Sequence, residues 1–345
     1  MNNVLKIVFL IIAALIGAGF ASGQELYVFF YSYGAKGLLG VLVCSFIFGY
    51  VAYKVLKIIS KNDINNYNDF IKYLTNSTSK RKYFNATFII NTIVNIFMLI
   101  IFYIMIAGFG AYFSQEFGIN NYLGSALLAI MCFITFMTSV NGVIKINSIL
   151  TPILIIFVII IGFINFNSID ITTIGQNLDN VDNGSWLLSG ILYASYNVIL
   201  LIPVLVTLKK YVKSQDTALF ASIFGGIIIA LLAVAIFLLL ARVDIDIDTL
   251  EMPAVYVVGE FFSGFKFIYA FIILASIYTT AISIGVSLLK NITKDERDFK
   301  QIAGVICISG VIISGLGFSN LINLLYPIFG YLGLIQIFAL IRKKV

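Results

Sequence analysis

The chain has 345 residues, of which 61% are hydrophobic, 15% aromatic and 11% charged, with a formal net charge of +6. Soluble globular domains carry about 25% charged residues, so this composition excludes a soluble protein and predicts one embedded in a lipid bilayer. A spanning helix takes about 20 apolar residues, so ten spans would occupy roughly 200 positions and leave no room for a soluble catalytic domain.

The absence of histidine excludes hydrolases with a histidine base, zincin-type metal sites and histidine-ligated haem. Cys44, Cys132 and Cys307 each lie inside an apolar run, so the sequence predicts neither a disulfide framework nor a zinc site. We therefore expect no enzymatic activity and no cofactor. We also expect no nucleic-acid partner, because the orientation of the chain in the membrane explains its basic charge.

Apolar runs of spanning length predict an all-α integral membrane protein with ten transmembrane helices. The predicted spans cover residues 4–33, 37–59, 84–113, 122–140, 146–166, 185–208, 217–241, 265–289, 301–318 and 319–341. A tight turn at Gly317, Ser319 and Asn320 separates the last two. We expect a single transmembrane domain, and the oligomeric state stays open.

Charge asymmetry predicts that both termini lie in the cytoplasm and that the protein resides in the cell membrane. In this orientation, all of the 22 Lys and Arg residues lie on the inner side except Lys36, Arg242 and Lys266. The outer loops are acidic, and the residues concerned are Asp170, Asp179, Asp182, Asp244, Asp246, Asp248 and Glu251.

The first span contains three glycines, a serine, an amide and a carboxylate between Ile16 and Glu25. These residues weaken a continuous helix and place polar groups where lipid cannot satisfy them. The sequence therefore predicts an unwound segment that faces a substrate, with a close-packed helix interface of small residues as the alternative. Glu25 is a candidate gate or proton carrier, unless its carboxylate points into a wet outer vestibule.

Two loops have an apolar pattern of their own. Residues 60–83 carry spaced apolar side chains that predict a short amphipathic helix on the cytoplasmic surface. Residues 252–264 are too short to span, and they predict a partial helix in the outer vestibule.

The sixth span offers a counterpart to the first. It contains a polar stretch at residues 190–197, followed by Pro203. Because five spans is an odd number, the second half of the chain is inverted relative to the first half. Broken helices at matching places in two inverted halves indicate a midplane binding site in a secondary transporter.

Polar residues in the middle of two further spans fit this picture. Tyr103 lies in the third span, while Thr279 and Thr280 lie in the eighth. A threonine hydroxyl often bonds its own helix, which is the structural alternative. Together with carbonyls from a broken helix, however, adjacent hydroxyls would form an oxygen site for a monovalent cation.

The sequence from Ile16 to Glu25, with Phe29, Phe30, Tyr33 and Gly34 after it, resembles the YkvI family of bacterial membrane proteins. That family is similar to the amino acid, polyamine and organocation transporter superfamily. The resemblance implies the LeuT fold, in which two inverted repeats of five spans, here residues 4–166 and 185–341, have broken helices one and six.

The resemblance also implies site residues. The sodium site of the coupled relatives corresponds to the backbone of Ala13, Ile16 and Ser276 and the hydroxyls of Thr279 and Thr280. Amides near Ala18 and Gly19 would hold an anionic group, and Tyr103 matches a tyrosine that contacts the substrate carboxylate. The implied substrate-binding residues are Gly17, Ala18, Gly19, Ser22, Tyr103, Tyr193, Ala194, Ser195, Tyr196 and Asn197.

Two departures limit what the resemblance implies. Phe20 replaces an asparagine that supports a second sodium ion, so only one sodium site is expected. Leu154 replaces a lysine of proton-coupled relatives, which favours sodium over proton coupling unless Glu25 takes that role.

These observations predict a secondary transporter of a small organic solute, in particular an amino acid or related zwitterion, with sodium as the coupling ion. Three alternatives stay open at this point: a proton-coupled transporter that uses Glu25, a ligand sensor on the same fold, and a channel. A membrane-embedded enzyme is disfavoured because no pair of intramembrane aspartates is present.

Overall fold

A computed structural model gives the fold, and it describes residues 2–62, 64, 66–75, 86–138, 141–168, 184–243, 245–293 and 295–343. Lys80, Arg81 and Lys82, which the predicted orientation places on the inner side, lie outside these ranges. So do the acidic loop positions Asp170, Asp179, Asp182 and Asp244. The helices are α1 (Asn2–Leu15), α2 (Ala18–Ala21), α3 (Gln24–Phe29), α4 (Ala35–Lys61), α5 (Tyr67–Thr75), α6 (Ala86–Phe117), α7 (Asn121–Met137), α8 (Asn141–Ser168), α9 (Trp186–Thr207), α10 (Gln215–Leu240), α11 (Pro253–Phe261), α12 (Lys266–Ile292), α13 (Glu296–Ser314) and α14 (Phe318–Arg342).

Most of these helices are apolar enough to lie in a bilayer. Within the described ranges, α4, α6, α9, α10, α12 and α14 are long and apolar enough to cross it, and α1, α7 and α8 contain shorter apolar stretches. The prediction of an all-α membrane protein is therefore confirmed. The count of ten spans and their arrangement as two inverted repeats remain predictions.

The first span is broken, as predicted. The helical hydrogen bonds of α1 end with the amide of Ile16, which donates to the carbonyl of Ile12. They resume with the amide of Ala21, which donates to the carbonyl of Gly17. The carbonyls of residues 13–16 therefore lie at the end of one helix, where helical partners are lacking. A second interruption follows at Gly23, whose φ of 83° lies in the left-handed region that glycine adopts without steric cost.

The predicted break in the sixth span is wrong, because α9 is one continuous helix from Trp186 to Thr207 that includes Pro203. Gly190 serves close packing instead of unwinding. A Cβ at this position would lie 2.9 Å from the carbonyl oxygen of Gly40 in α4. Small residues at such contacts let membrane helices approach closely.

Two polar side chains of the predicted break, Ser195 and Asn197, are satisfied within α9, so they do not require it to open. Ser195 Oγ donates to the carbonyl of Ile191 at 2.6 Å, and Asn197 Nδ2 donates to the carbonyl of Tyr193 at 3.0 Å. Both are bonds from a side chain to the preceding turn, a common arrangement in membrane helices.

Both predicted loop helices are present. The surface helix is α5, whose Phe70, Ile71 and Leu74 are buried against the ends of the long helices. The second is α11, and the amide of Ala254 in its first turn donates to the carbonyl of Ser22 at 2.8 Å. This bond attaches α11 directly to the broken segment.

Candidate substrate cavity

A cavity of about 430 Å³ lies beside the broken segment, with walls from α1, α6, α9, α12 and α14. It reaches Glu25 in the middle of the first span. From there it extends to Leu10 in α1, Thr207 in α9 and Ser287 in α12. Thr207 is the last residue of α9, and Ser287 lies near the end of α12. Because Lys6 of α1 lies over the ring of Tyr211 just after α9, the cavity leads towards the side of the protein that carries the N-terminus.

Glu25 is buried at this cavity, with 5% of its surface exposed. Its Oε2 accepts hydrogen bonds from the hydroxyls of Tyr196 at 2.7 Å and Tyr193 at 3.3 Å. The ring of Tyr326 lies 4.5 Å from that of Tyr196 and also lines the cavity. In the part of the chain that the structure describes, no lysine or arginine forms an ion pair with Glu25. A buried carboxylate of this kind requires a proton or a cation as its partner.

The side chain of Glu25 folds back onto Gly19 of α2. A Cβ at Gly19 would lie 2.8 Å from both Cγ and Cδ of Glu25, which is too close for any side chain. Only glycine therefore leaves room for the carboxylate here. The carboxylate therefore packs against Gly19, one of the residues whose amides the resemblance assigns to an anionic group of the substrate.

The predicted cation site is brought together only in part. Ala13 and Ile16 of α1 and Thr280 of α12 line the same cavity. Thr279 is fully buried, and its hydroxyl donates to the carbonyl of Ser276 at 3.2 Å. The structure thus places residues at the end of α1 and Thr280 of α12 in the wall of one cavity, whereas Thr279 and Ser276 do not line it.

Gly17, Ala18, Tyr196 and Asn197 line the cavity, as predicted for substrate-binding residues. Ala18 and Asn197 are nevertheless almost fully buried, so the cavity touches only a small part of each.

Other predicted substrate residues lie outside the cavity wall. Gly19 and Tyr193 contact Glu25 from behind, and Ser22 Oγ donates to the carbonyl of Gly19 at 3.1 Å. Ala194 is completely buried, while the backbone of Ser195 packs against α14. These residues support the cavity rather than form its surface.

The assignment of Tyr103 to the substrate disagrees with the structure. Its hydroxyl hydrogen-bonds Ser309 Oγ of α13 at 2.8 Å. The cavity face of α6 consists instead of Met98, Ile101 and Met105. These residues follow helical spacing along one face, and a residue two positions after Ile101 points to the other side of the helix.

Tyr326 is the main cavity residue that the sequence analysis did not identify. It immediately precedes Pro327, which lies inside α14 and removes one backbone donor from that helix. A proline within a spanning segment was the available signal, as it was for Pro203 in α9.

The opposite side of the broken segment is closed by hydrogen bonds. The hydroxyl of Tyr269 donates to the carbonyl of Ala21, next to the bond between Ala254 and Ser22. In addition, Gln115 of α6 makes two bonds with the backbone of Met252, at 3.1 and 2.9 Å. We call these contacts the outer seal. The cavity is consequently open towards one side and closed towards the other.

Comparison with known sequences identifies two relatives from Bacillus subtilis (strain 168). The chain is 28% identical to the uncharacterized membrane protein YkvI, over 98% of this chain and 95% of that protein. The predicted resemblance to YkvI is confirmed. The chain is also 28% identical to the uncharacterized protein YyaD, over 98% of this chain and 96% of that protein. No family model matches the sequence.

Solved structures with a similar fold are transporters. Mhp1 in an inward-facing conformation has a TM-score of 0.66 at 11% identity, covering 96% of this chain and 73% of Mhp1. A manganese transporter of Eremococcus coleocola has a TM-score of 0.60 at 13% identity, covering 97% and 77%. A Na⁺-coupled sialic acid symporter has a TM-score of 0.54 at 13% identity, covering 96% and 75%. The LeuT-type fold is therefore confirmed.

Within the described ranges, no group of three or more Cys, Asp or Glu side chains is placed to hold a metal ion.

Proposed function

We propose that this chain is a secondary transporter that carries a small organic solute with an amino group across the cell membrane by alternating access. The observation that carries this proposal is the one-sided cavity, which leads from Glu25 towards the N-terminal side while the outer seal closes the other side. The proposal includes ten spans in one domain, arranged as two inverted repeats, in keeping with the number of long and shorter apolar helices. It also includes cytoplasmic termini, which the distribution of Lys and Arg favours.

The broken first span connects the cavity to the outer seal. Gly17 and Ala18 line the cavity, and only a few residues later the carbonyls of Ala21 and Ser22 accept the bonds that close the outer side. A solute bound at this segment would therefore act directly on the seal. The bound solute shifts the equilibrium towards the conformation that binds it more tightly. Solute binding can thereby change the side of the membrane to which the cavity is open.

We further propose Na⁺ as the coupling ion, held between α1 and α12 by Ala13, Ile16, Ser276, Thr279 and Thr280. Support comes from residues at the end of α1 and from Thr280, which line one cavity. Thr279→Ala should weaken the stabilisation by Na⁺, measured as the change in melting temperature between sodium and potassium. The matched control is Thr92→Ala in α6, because Thr92 also bonds its own helix but lies far from the cavity. Equal sodium effects in both variants would refute this assignment.

Proton coupling through Glu25 is a second candidate, favoured by the burial of this carboxylate without an ion pair among the described residues. A proton carrier is required for accumulation driven by a pH gradient but not for solute exchange. Glu25→Gln should then abolish proton-driven accumulation and retain exchange. Accumulation that persists in this variant would exclude Glu25 as the carrier.

Labelling of single cysteines from either side of the membrane tests the access mechanism. Leu200→Cys places a thiol in the cavity wall, whereas Val257→Cys places one on α11, where the residue is fully buried. We expect Leu200→Cys to react with an impermeant maleimide from the N-terminal side, and Val257→Cys to react from the other side once the outer seal opens. The native cysteines are buried and serve as the unlabelled background. Reaction of Leu200→Cys only from the opposite side would contradict the proposal.

A further inference from the structure

We propose that the transported solute is an organic cation without a carboxylate, an amine rather than an amino acid, and that Glu25 is its counter-ion. This inference rests on the proposed transport function and narrows its substrate class. It follows from the charge of the cavity, the position of Glu25 and the chemistry of the remaining wall.

The charge of the cavity favours a cation. Glu25 is the only acidic or basic side chain among the described residues that line it. The other polar groups of the wall are neutral hydroxyls and one amide. In surroundings of low dielectric constant, complementary charge determines which ligand is accepted, and like charges close together cost several kcal/mol.

The position of Glu25 disfavours a zwitterion. The side chain of Glu25 packs against Gly19, at the end of the cavity where the resemblance places the carboxylate of an amino acid. A second carboxylate at this end of the cavity would meet an anion, and the described wall contains no lysine or arginine to balance it. An amine carries a positive charge that can pair with Glu25, and it has no carboxylate that would meet this anion.

The geometry of Glu25 leaves one oxygen for a ligand. Both hydrogen bonds described for the carboxylate, from Tyr193 and Tyr196, go to Oε2. These tyrosines are positioning residues, because they orient the carboxylate without supplying charge. An ammonium donates up to three hydrogen bonds and would pair with the remaining oxygen, while the carbonyls at the end of α1 are further acceptors.

The rest of the wall suits the body of an organic amine. Tyr196 and Tyr326 present aromatic rings, which attract cations, and Met98 and Met105 add polarizable apolar surface. A volume of about 430 Å³ lies within the roughly 300–1,000 Å³ typical of small-molecule pockets.

The test compares solutes that differ only in a carboxylate, using the full chain purified in detergent. Tyramine is paired with tyrosine, isobutylamine with valine and putrescine with ornithine, and dissociation constants come from the rise of the melting temperature with concentration. We expect at least one amine to bind about tenfold or more tightly than its amino acid. Glu25→Gln should weaken that amine about 30-fold or more, as expected when one partner of a buried charge pair is removed.

Glu260→Gln is the matched control, because it makes the same change of charge on an exposed side chain of α11. It should bind the amine as the wild type does. The pairwise comparison on the wild type keeps the proposal testable even where Glu25→Gln fails to fold. Tighter binding of the amino acids, or amine binding that survives Glu25→Gln unchanged, would overturn the substrate class and leave the transport proposal standing. Failure of every solute in the panel to bind would overturn the substrate class as well, whereas the labelling of Leu200→Cys would still report on transport.

Discussion

The contact between Tyr196 and Glu25 gives a quantitative prediction. Its length of 2.7 Å is normal for a hydrogen bond donated by a hydroxyl. Such a bond contributes about 1.5–3 kcal/mol when the acceptor is charged, against about 0.5–1.5 kcal/mol for a neutral pair. Tyr196→Phe removes the hydroxyl and keeps the ring. We therefore expect the free energy of unfolding to fall by about 2 kcal/mol.

The assay is a double-mutant cycle, with the free energy of unfolding measured by titration with SDS in mixed micelles. In the Glu25→Gln background the acceptor is neutral, so the Tyr196→Phe substitution should cost only about 1 kcal/mol. The difference of about 1 kcal/mol is the coupling between the two side chains.

Tyr326→Phe is the control for this cycle. The ring of Tyr326 packs against that of Tyr196 at a tilt of 40°, but the structure describes no hydrogen bond from Tyr326 to Glu25. Its cost should therefore be the same with and without the Glu25→Gln substitution. Equal costs for Tyr196→Phe in both backgrounds would refute the view that a charged carboxylate is held by this hydroxyl.

Two further predictions concern helix packing and the outer seal. Gly333→Ala would drive a Cβ into the carbonyl of Ser195 and should destabilise the protein by about 1–3 kcal/mol, whereas Gly304→Ala makes only an ordinary contact and should gain up to about 1 kcal/mol. The same SDS titration measures both, and similar effects would contradict the described packing of α9 on α14. Gln115→Leu removes both hydrogen bonds to Met252. In this background, Val257→Cys on α11 should label several-fold faster from the side opposite the N-terminus. An unchanged rate would show that these bonds do not hold the outer seal.

The break in the first span was predictable because its cause is local. Gly17 and Gly23 weaken the helix because glycine does so in any helix. Glu25 in the middle of a span indicates a functional site, because charged residues are rare there. The surface helix α5 was predictable for the same reason, since its buried residues follow helical spacing.

The continuity of α9 was not predictable, because it depends on tertiary contacts. Gly190 reads as a helix breaker in sequence, and only the structure shows that it faces Gly40 of another helix. The hydroxyl of Ser195 bonds its own helix, which no spacing rule distinguishes from a substrate contact. The direction of the Tyr103 side chain likewise depends on which face of α6 is turned towards the cavity.

Transport itself is the central claim, and solute counterflow in proteoliposomes tests it most directly. Vesicles that contain purified protein are loaded with an unlabelled amine and diluted into a trace of the same labelled amine. The account predicts transient accumulation of label that is absent from protein-free vesicles. Counterflow should be greatly reduced in Glu25→Gln vesicles if Glu25 is the counter-ion of the amine, and retained if Glu25 carries only a proton. Binding of the amine in detergent without any counterflow would contradict transport and identify the protein as a ligand sensor.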